Sequence, residues 1–231
     1  VANLAVLVPS RGRPANVARL VEACAKTCEA DTELCFGFDN DDPCKTDNIL
    51  ATGEGMFSTG SRAGLAKWTN RLIVPYLLRE HPPAYFASIG DDMVPVTPGW
   101  DRLLIEAQEK IGGGFSYPND RRRADIPEAV VVDARVVRAL GWMCLPALGH
   151  WFVDSVWRDL GQFTNRLIYC GAVIVEHRHP NVKGSGAAPD ATYSDAAAGF
   201  AADMAAYQKW RLKGMRADVE AVRECLASPT G

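Results

Sequence analysis

Apolar residues in this chain fall into short continuous runs that alternate with stretches of helical spacing. Leu4 to Val8 is an unbroken apolar run, the pattern of a strand buried on both faces. Pro14 then suits a first helical position, and Val17, Leu20, Val21 and Cys24 repeat at helical spacing. Leu34 to Phe38 predicts a second strand, closed by the turn signal Asp39-Asn40-Asp41-Asp42-Pro43. Gly53 to Ser61 reads as a loop. Leu65 to Leu78 is helical in pattern, with Leu65, Trp68, Leu72 and Leu77 facing a core, and Pro75 predicts a kink or the end of its regular part. Tyr85 to Ile89 predicts a strand running into Gly90-Asp91-Asp92-Met93. Thr97-Pro98 predicts an N-cap and first turn of a helix to about Lys110. Short strands are predicted at Gly113 to Tyr117 and Ala129 to Val132. Helices follow at Asp133 to Leu140, stopped by Gly141, and at Phe152 to Leu160, stopped by Gly161. Ala172 to His177 predicts the last strand.

From Ser194 onward the pattern is helical, with a break at Gly214 and a stripe of Phe200, Met204, Tyr207, Trp210 and Leu212. Strands alternating with helices predict an α/β fold with a doubly wound, mostly parallel sheet. Residues 1–190 form its main domain, and 191–231 a C-terminal helical extension packed on it or on a second subunit, so a dimer through these helices is an open option. Ligands in such sheets sit at the carboxyl ends of strands. That rule directs attention to the positions after Val8, Phe38 and Ile89.

Composition narrows the class. The 231 residues carry 25 Lys+Arg against 28 Asp+Glu, a net charge of −3, and are 48% hydrophobic and 23% charged. These values exclude a disordered chain and argue against bulk electrostatic binding to nucleic acid or anionic membrane. No apolar stretch approaches the roughly 20 residues that span a bilayer. The seven cysteines are scattered, which predicts reduced thiols and a cytoplasmic setting. Phosphate loops of the G-x-G-x-x-G and P-loop types are missing, as is a G-x-S-x-G elbow.

Four features carry candidate chemistry. Asp91-Asp92 places two carboxylates directly after an apolar strand, where Mg2+ or Mn2+ takes one or two carboxylates plus phosphate oxygens; a solvated turn has the same composition. Asp39 ends the second strand, as a base or ribose acceptor or as an Asx-turn. His177 and His179 share one face at the end of the last strand and offer imidazole ligands, or form a surface pair. Asp154 lies among aromatic residues between His150 and Trp157, as a desolvated general base or as a helix N-terminal charge. Arg121-Arg122-Arg123 reads as a solvated loop.

In order along the chain, these features resemble the GT-A glycosyltransferases, close to the family 2 type, from about Leu4 to Pro180. Val6-Leu7-Val8-Pro9-Ser10-Arg11-Gly12-Arg13-Pro14 is similar to the family's opening strand and nucleotide-contacting loop. Gly60 to Leu65, with Arg62, and Asn70 beyond it, are similar to the loop and helix that close over the donor. Gly90-Asp91-Asp92 stands in the place of the D-x-D signature, with glycine where its first aspartate would be.

The resemblance implies transfer of a sugar from a UDP- or GDP-sugar to an acceptor hydroxyl on a glycan, protein, lipid or modified nucleic acid, with Mn2+ or Mg2+. It implies Asp39 at the base, Asp91 near the ribose or a metal-bound water, Asp92 on the metal with His177 or His179, and Asp154 on the acceptor side. There the usual acidic pair is Val153-Asp154. Pro9, Ser10, Arg11, Arg13, Arg62 and Asn70 line the donor, with the arginines suited to phosphate. A sugar nucleotidyltransferase and a non-catalytic sugar-nucleotide or glycan-binding module are the competing readings. The first would carry a glycine-rich loop with lysine where this chain has Arg11-Gly12-Arg13.

Overall fold

A computed structural model describes residues 3–180 and 190–227. Its strands are β1 (Leu4–Ser10), β2 (Thr32–Asp39), β3 (Met56–Gly60), β4 (Tyr85–Ser88), β5 (Met93–Pro95), β6 (Phe115–Asn119), β7 (Val130–Asp133) and β8 (Leu167–His177). They form one sheet in the order β3-β2-β1-β4-β7-β6-β8-β5. The first four are mutually parallel. Beyond β4 the direction mixes: β7 runs antiparallel to both β4 and β6, β8 is parallel to β6, and β5 is antiparallel to β8.

The apolar run of β1 is continuous because both faces are covered. Ala5 and Leu7 point into one core, and Leu4, Val6 and Val8 into the other. Helices α1 (Pro14–Thr27) and α4 (Trp100–Lys110) cover the second face, with Leu20 and Trp100 fully enclosed. On the first face lie α3 (Leu65–Leu77), α5 (Ala134–Leu140) and α6 (Val153–Thr164). After α7 (Ala191–Ala198), α8 (Phe200–Lys213) and α9 (Met215–Ala227) join that same core through Tyr207, Trp210, Val219, Val222 and Leu226. Leu212, counted in the apolar stripe, is 84% exposed.

Several boundaries differ from the sequence expectation for identifiable reasons. The stretch read as a loop, Gly53 to Ser61, contains β3, which among the described residues is an edge strand paired with β2. Helix α4 opens at Trp100 behind a left-handed Gly99, because the Thr97 hydroxyl is engaged elsewhere and accepts the Ile174 N–H. Gly161 does not stop α6; the helix continues to Thr164 and ends at left-handed Asn165. That glycine permits close packing, since a Cβ there would meet the Leu167 Cβ at 2.6 Å. Pro75 is contained within α3, which runs on to Leu77. The short α2 (Lys45–Ala51) and β5 were not anticipated. All seven cysteines are unpaired. Among the described residues, no helix is long and apolar enough to cross a membrane.

Candidate functional site

Asp91 and Asp92 emerge from the end of β4 into a polar cluster that is nearly closed to solvent. The Ser10 hydroxyl, at the end of β1, donates to Asp91 Oδ2 at 2.5 Å, and Arg13 Nη1 lies 2.9 Å from Oδ1. Burial still pushes the Asp91 carboxyl up, against Arg13 and with the charge of Asp92 beside it. Burial works the same way on Asp92, but the hydrogen bonds from His177 and Tyr193 hold that carboxyl low.

The pairing of β5 with β8 sets Met93 opposite His177, and the Arg178 N–H donates to the Asp92 carbonyl. His177 Nε2 thereby faces Asp92 Oδ2 at 3.3 Å, and its Nδ1 lies 2.6 Å from Glu128 Oε2. Burial disfavours the imidazolium, yet the two flanking carboxylates win and push its pKa up to about 9. Arg122 Nη1 donates to Glu128 at 2.9 Å. Asp120 accepts the Arg122 and Arg123 N–H groups on Oδ1; its Oδ2 is buried and meets no donor among the described residues, and burial together with the neighbouring Glu128 carboxylate raises its pKa. Ligand atoms of Asp120, Glu128 and His177 lie within 4.8 Å of one another. The His179 ring packs edge-on against His177 and Tyr193, and burial lowers its pKa.

Asp39 is 3% exposed, and its carboxylate does not close an Asx-turn. Its Oδ1 accepts from Trp68 Nε1 at 2.7 Å and from the Ala63 N–H at 3.0 Å, and its Oδ2 pairs with Arg11 at 3.1 Å. Arg11 also reaches Asp41. Asn70 is engaged with backbone: its oxygen accepts the N–H groups of Met143 and Cys144, and its amide donates to the Cys144 carbonyl. Pro9 is held within β1 opposite Gly37.

Asp154 occupies the first turn of α6, where it accepts the N–H and hydroxyl of Ser155. Burial raises its pKa, and the charge of Glu128 adds to the shift. Phe152, two residues earlier, is left-handed at φ 66°, a costly conformation for an aromatic residue. Stacking on Tyr207 at 5.1 Å and contact with Phe200 lock it. Trp157 is core, donating to the Met143 carbonyl, whereas Trp151 is part-exposed and donates to the Ala196 carbonyl.

The start of the C-terminal extension lies against these residues. Asp190 caps α7 and pairs with Arg13 at 2.7 Å; Tyr193 donates to Asp92 at 2.7 Å and lies under the Arg13 guanidinium; Asp195 pairs with Arg62. Burial opposes the Arg13 charge, but Asp190 and Asp91 raise its pKa overall.

The structure thus gathers Ser10, Arg13, Asp91, Asp92, His177 and His179 in one cluster. Glu128, Asp120, Asp190 and Tyr193 belong to that cluster and were not anticipated. The antiparallel course of β7 explains Glu128: with Val130 paired to Ser88, residues just before β7 share an edge with the carboxyl end of β4. An N-cap aspartate ahead of a helical pattern was the available signal for Asp190.

The sequence matches no family model and no curated protein. Solved structures do match. A mannosyltransferase, PcManGT from Pyrobaculum calidifontis, in complex with GDP-Man and Mn2+, superposes with a TM-score of 0.61 at 10% identity, over 97% of this chain and 74% of that one. Glucosyl-3-phosphoglycerate synthase from Mycobacterium tuberculosis, with Mn2+, UDP and glucosyl-3-phosphoglycerate, gives 0.59 at 10% identity, over 87% and 80%. S. aureus TarS with UDP-GlcNAc gives 0.56 at 10% identity, over 75% of this chain and 57% of that one. The chain therefore has the GT-A glycosyltransferase fold.

Proposed function

We propose that the protein is a divalent-metal-dependent glycosyltransferase that moves a sugar from a nucleoside diphosphate donor to an acceptor hydroxyl with inversion. The observation that carries this reading is the meeting of Asp92 Oδ2 and His177 Nε2 at the carboxyl end of β4. A carboxylate oxygen from the turn after β4 and an imidazole nitrogen from the end of β8 converge in a way that suits Mn2+ or Mg2+. The neighbours whose complexes hold Mn2+ with GDP-mannose or UDP support the same choice of ion and donor. Bound there, the ion would act as a Lewis acid on the departing diphosphate.

The protein's own groups supply the rest. Arg13, held by Asp91 on one side, exchanges Asp190 for a diphosphate oxygen, since carboxylate and phosphate compete for the same guanidinium fork. Ser10 orients Asp91 toward the ribose, and Pro9 forms wall. Arg11 and Arg62 supply further positive charge, each exchanging an exposed aspartate partner, Asp41 or Asp195. Asp39 holds the loop before α3 around the base pocket. Asp154, its basicity raised by burial, accepts the acceptor hydroxyl proton as that oxygen attacks the anomeric carbon and the diphosphate leaves. Residues 1–190 carry the donor and catalytic machinery, and 191–231 form a helical extension whose first turn borders it.

The test is a panel of UDP- and GDP-sugars incubated with Mn2+ and glycan acceptors, read by product NMR. An Asp92- and metal-dependent product of inverted anomeric configuration is expected, absent from Asp154→Asn. A nucleotide pyrophosphate exchange activity, or binding without turnover of any donor, would contradict the reading.

A further inference from the structure

We infer that Glu128 is a positioning residue for the metal-binding imidazole: it takes the Nδ1–H of His177 so that Nε2 presents its lone pair beside Asp92. This rests on the proposed metal site, and its strongest support is an asymmetry of distance. Nδ1 lies 2.6 Å from Glu128 Oε2, in the range of a charge-assisted hydrogen bond, while Nε2 lies 3.3 Å from Asp92 Oδ2. Nδ1 therefore keeps its proton toward Glu128, although Arg122 Nη1 also approaches Nδ1 at 3.2 Å, and the longer, weaker Nε2 contact is the one an ion can replace, displacing the Nε2 proton of the imidazolium. A carboxylate behind a ligating histidine fixes both tautomer and ring orientation.

Glu128 is itself held in place. Arg122 Nη1 donates to the same Oε2 at 2.9 Å, and Asp120, buried beneath, gathers the Arg122 and Arg123 N–H groups. The Asp120 carbonyl also accepts the His177 N–H, so one loop anchors both partners of the contact. Asp120, Glu128 and His177 could alternatively be read as a cation cage in their own right. Two facts argue against that role for Glu128. The Arg122 guanidinium already supplies a permanent positive charge at its Oε2. The lone pairs of the two imidazole nitrogens also diverge, so an oxygen on the Nδ1 side cannot share an ion held by Nε2.

Mn2+ alone is the probe, titrated by electron paramagnetic resonance into wild type, Glu128→Ala, Glu128→Gln and His177→Ala. Glu128→Ala is expected to weaken Mn2+ binding about 10- to 100-fold. Glu128→Gln, whose amide oxygen still accepts the Nδ1–H, should recover most of the loss. If Gln fails as fully as Ala, the carboxylate charge itself binds the ion and the positioning role is overturned. Unchanged affinity in Glu128→Ala overturns it as well. A second readout does not depend on the ion: wild type should show a downfield, exchange-protected imidazole N–H proton assigned to Nδ1 of His177, lost in Glu128→Ala and kept in Glu128→Gln. If wild type binds no Mn2+ but shows this proton, the metal reading fails while the Glu128–His177 contact stands. If the proton is missing from wild type, the inference fails outright.

Discussion

Asp154 combines burial with ionisation, which makes its contribution to stability depend on pH in a defined direction. Burial raises its folded-state pKa above the ordinary aspartate value. A group with a raised folded pKa supports folding fully below its unfolded pKa, and that support is lost as pH rises through the folded value. Asp154→Asn is therefore expected to raise the melting temperature at neutral pH, with the gain shrinking as pH falls through the raised folded pKa and gone below about 4. The same variant should bind nucleoside diphosphate normally and transfer no sugar, the signature of a group needed only in the transition state. A variant that melts lower at neutral pH would contradict the desolvation argument.

Asp39 makes the opposite case. Its bonds to Trp68, Ala63 and Arg11 tie the end of β2 to the loop before α3. Asp39→Ala leaves the indole N–H of Trp68, itself 4% exposed, without an acceptor, and an unsatisfied buried donor costs about 1–3 kcal/mol. Urea denaturation should show a loss of that size. Unchanged stability with lost nucleotide affinity would make Asp39 a pure ligand contact, the behaviour the sequence resemblance by itself implies.

The α8 helix reaches the site through one carboxylate. Asp203 accepts the N–H groups of Gly149, His150 and Trp151 at 2.8 Å each, and this turn leads into left-handed Phe152 and α6. Asp203→Ala removes three charge-assisted hydrogen bonds at once, and a loss on the order of 3 kcal/mol is expected in chemical denaturation. Because the turn sets the start of α6, activity should also fall in molecules that remain folded. A loss below about 0.5 kcal/mol would mean that water replaces the carboxylate.

Strands covered on both faces, such as β1, β2 and β4, and α3 with its single buried stripe, were legible in the chain. Strand β3 was not: Met56 and Phe57 are part-exposed on the sheet edge, so no alternation marks them. Strand direction was also hidden, because local periodicity is the same for parallel and antiparallel pairing. That one ambiguity conceals Glu128, which the reversed course of β7 brings against His177, across the ring from Asp92. Asp91, Asp92 and His177 could be singled out because chemistry-bearing residues directly followed predicted strands. The engagement of Asn70 with the 143–144 backbone depends on contacts far apart in sequence and left no local trace.

The whole molecule carries a net charge of −3, yet Arg11, Arg13 and Arg62 gather around the proposed donor site. Each is matched by an aspartate, so anion binding must exchange partners. A diphosphate would compete if a divalent ion were held at Asp92, because the ion would offset the carboxylate charge and Arg13 could turn to phosphate oxygens. Strict coupling between ion and nucleotide is therefore expected. Isothermal titration calorimetry of UDP and GDP, with Mn2+ and with chelator, measures that coupling directly in wild type and Asp92→Asn. One of the two nucleotides should bind wild type at least about tenfold more tightly with Mn2+, equivalent to about 1.4 kcal/mol, and Asp92→Asn should abolish the difference. Equal affinity with and without the ion, or a metal effect that survives in Asp92→Asn, would contradict the proposed site.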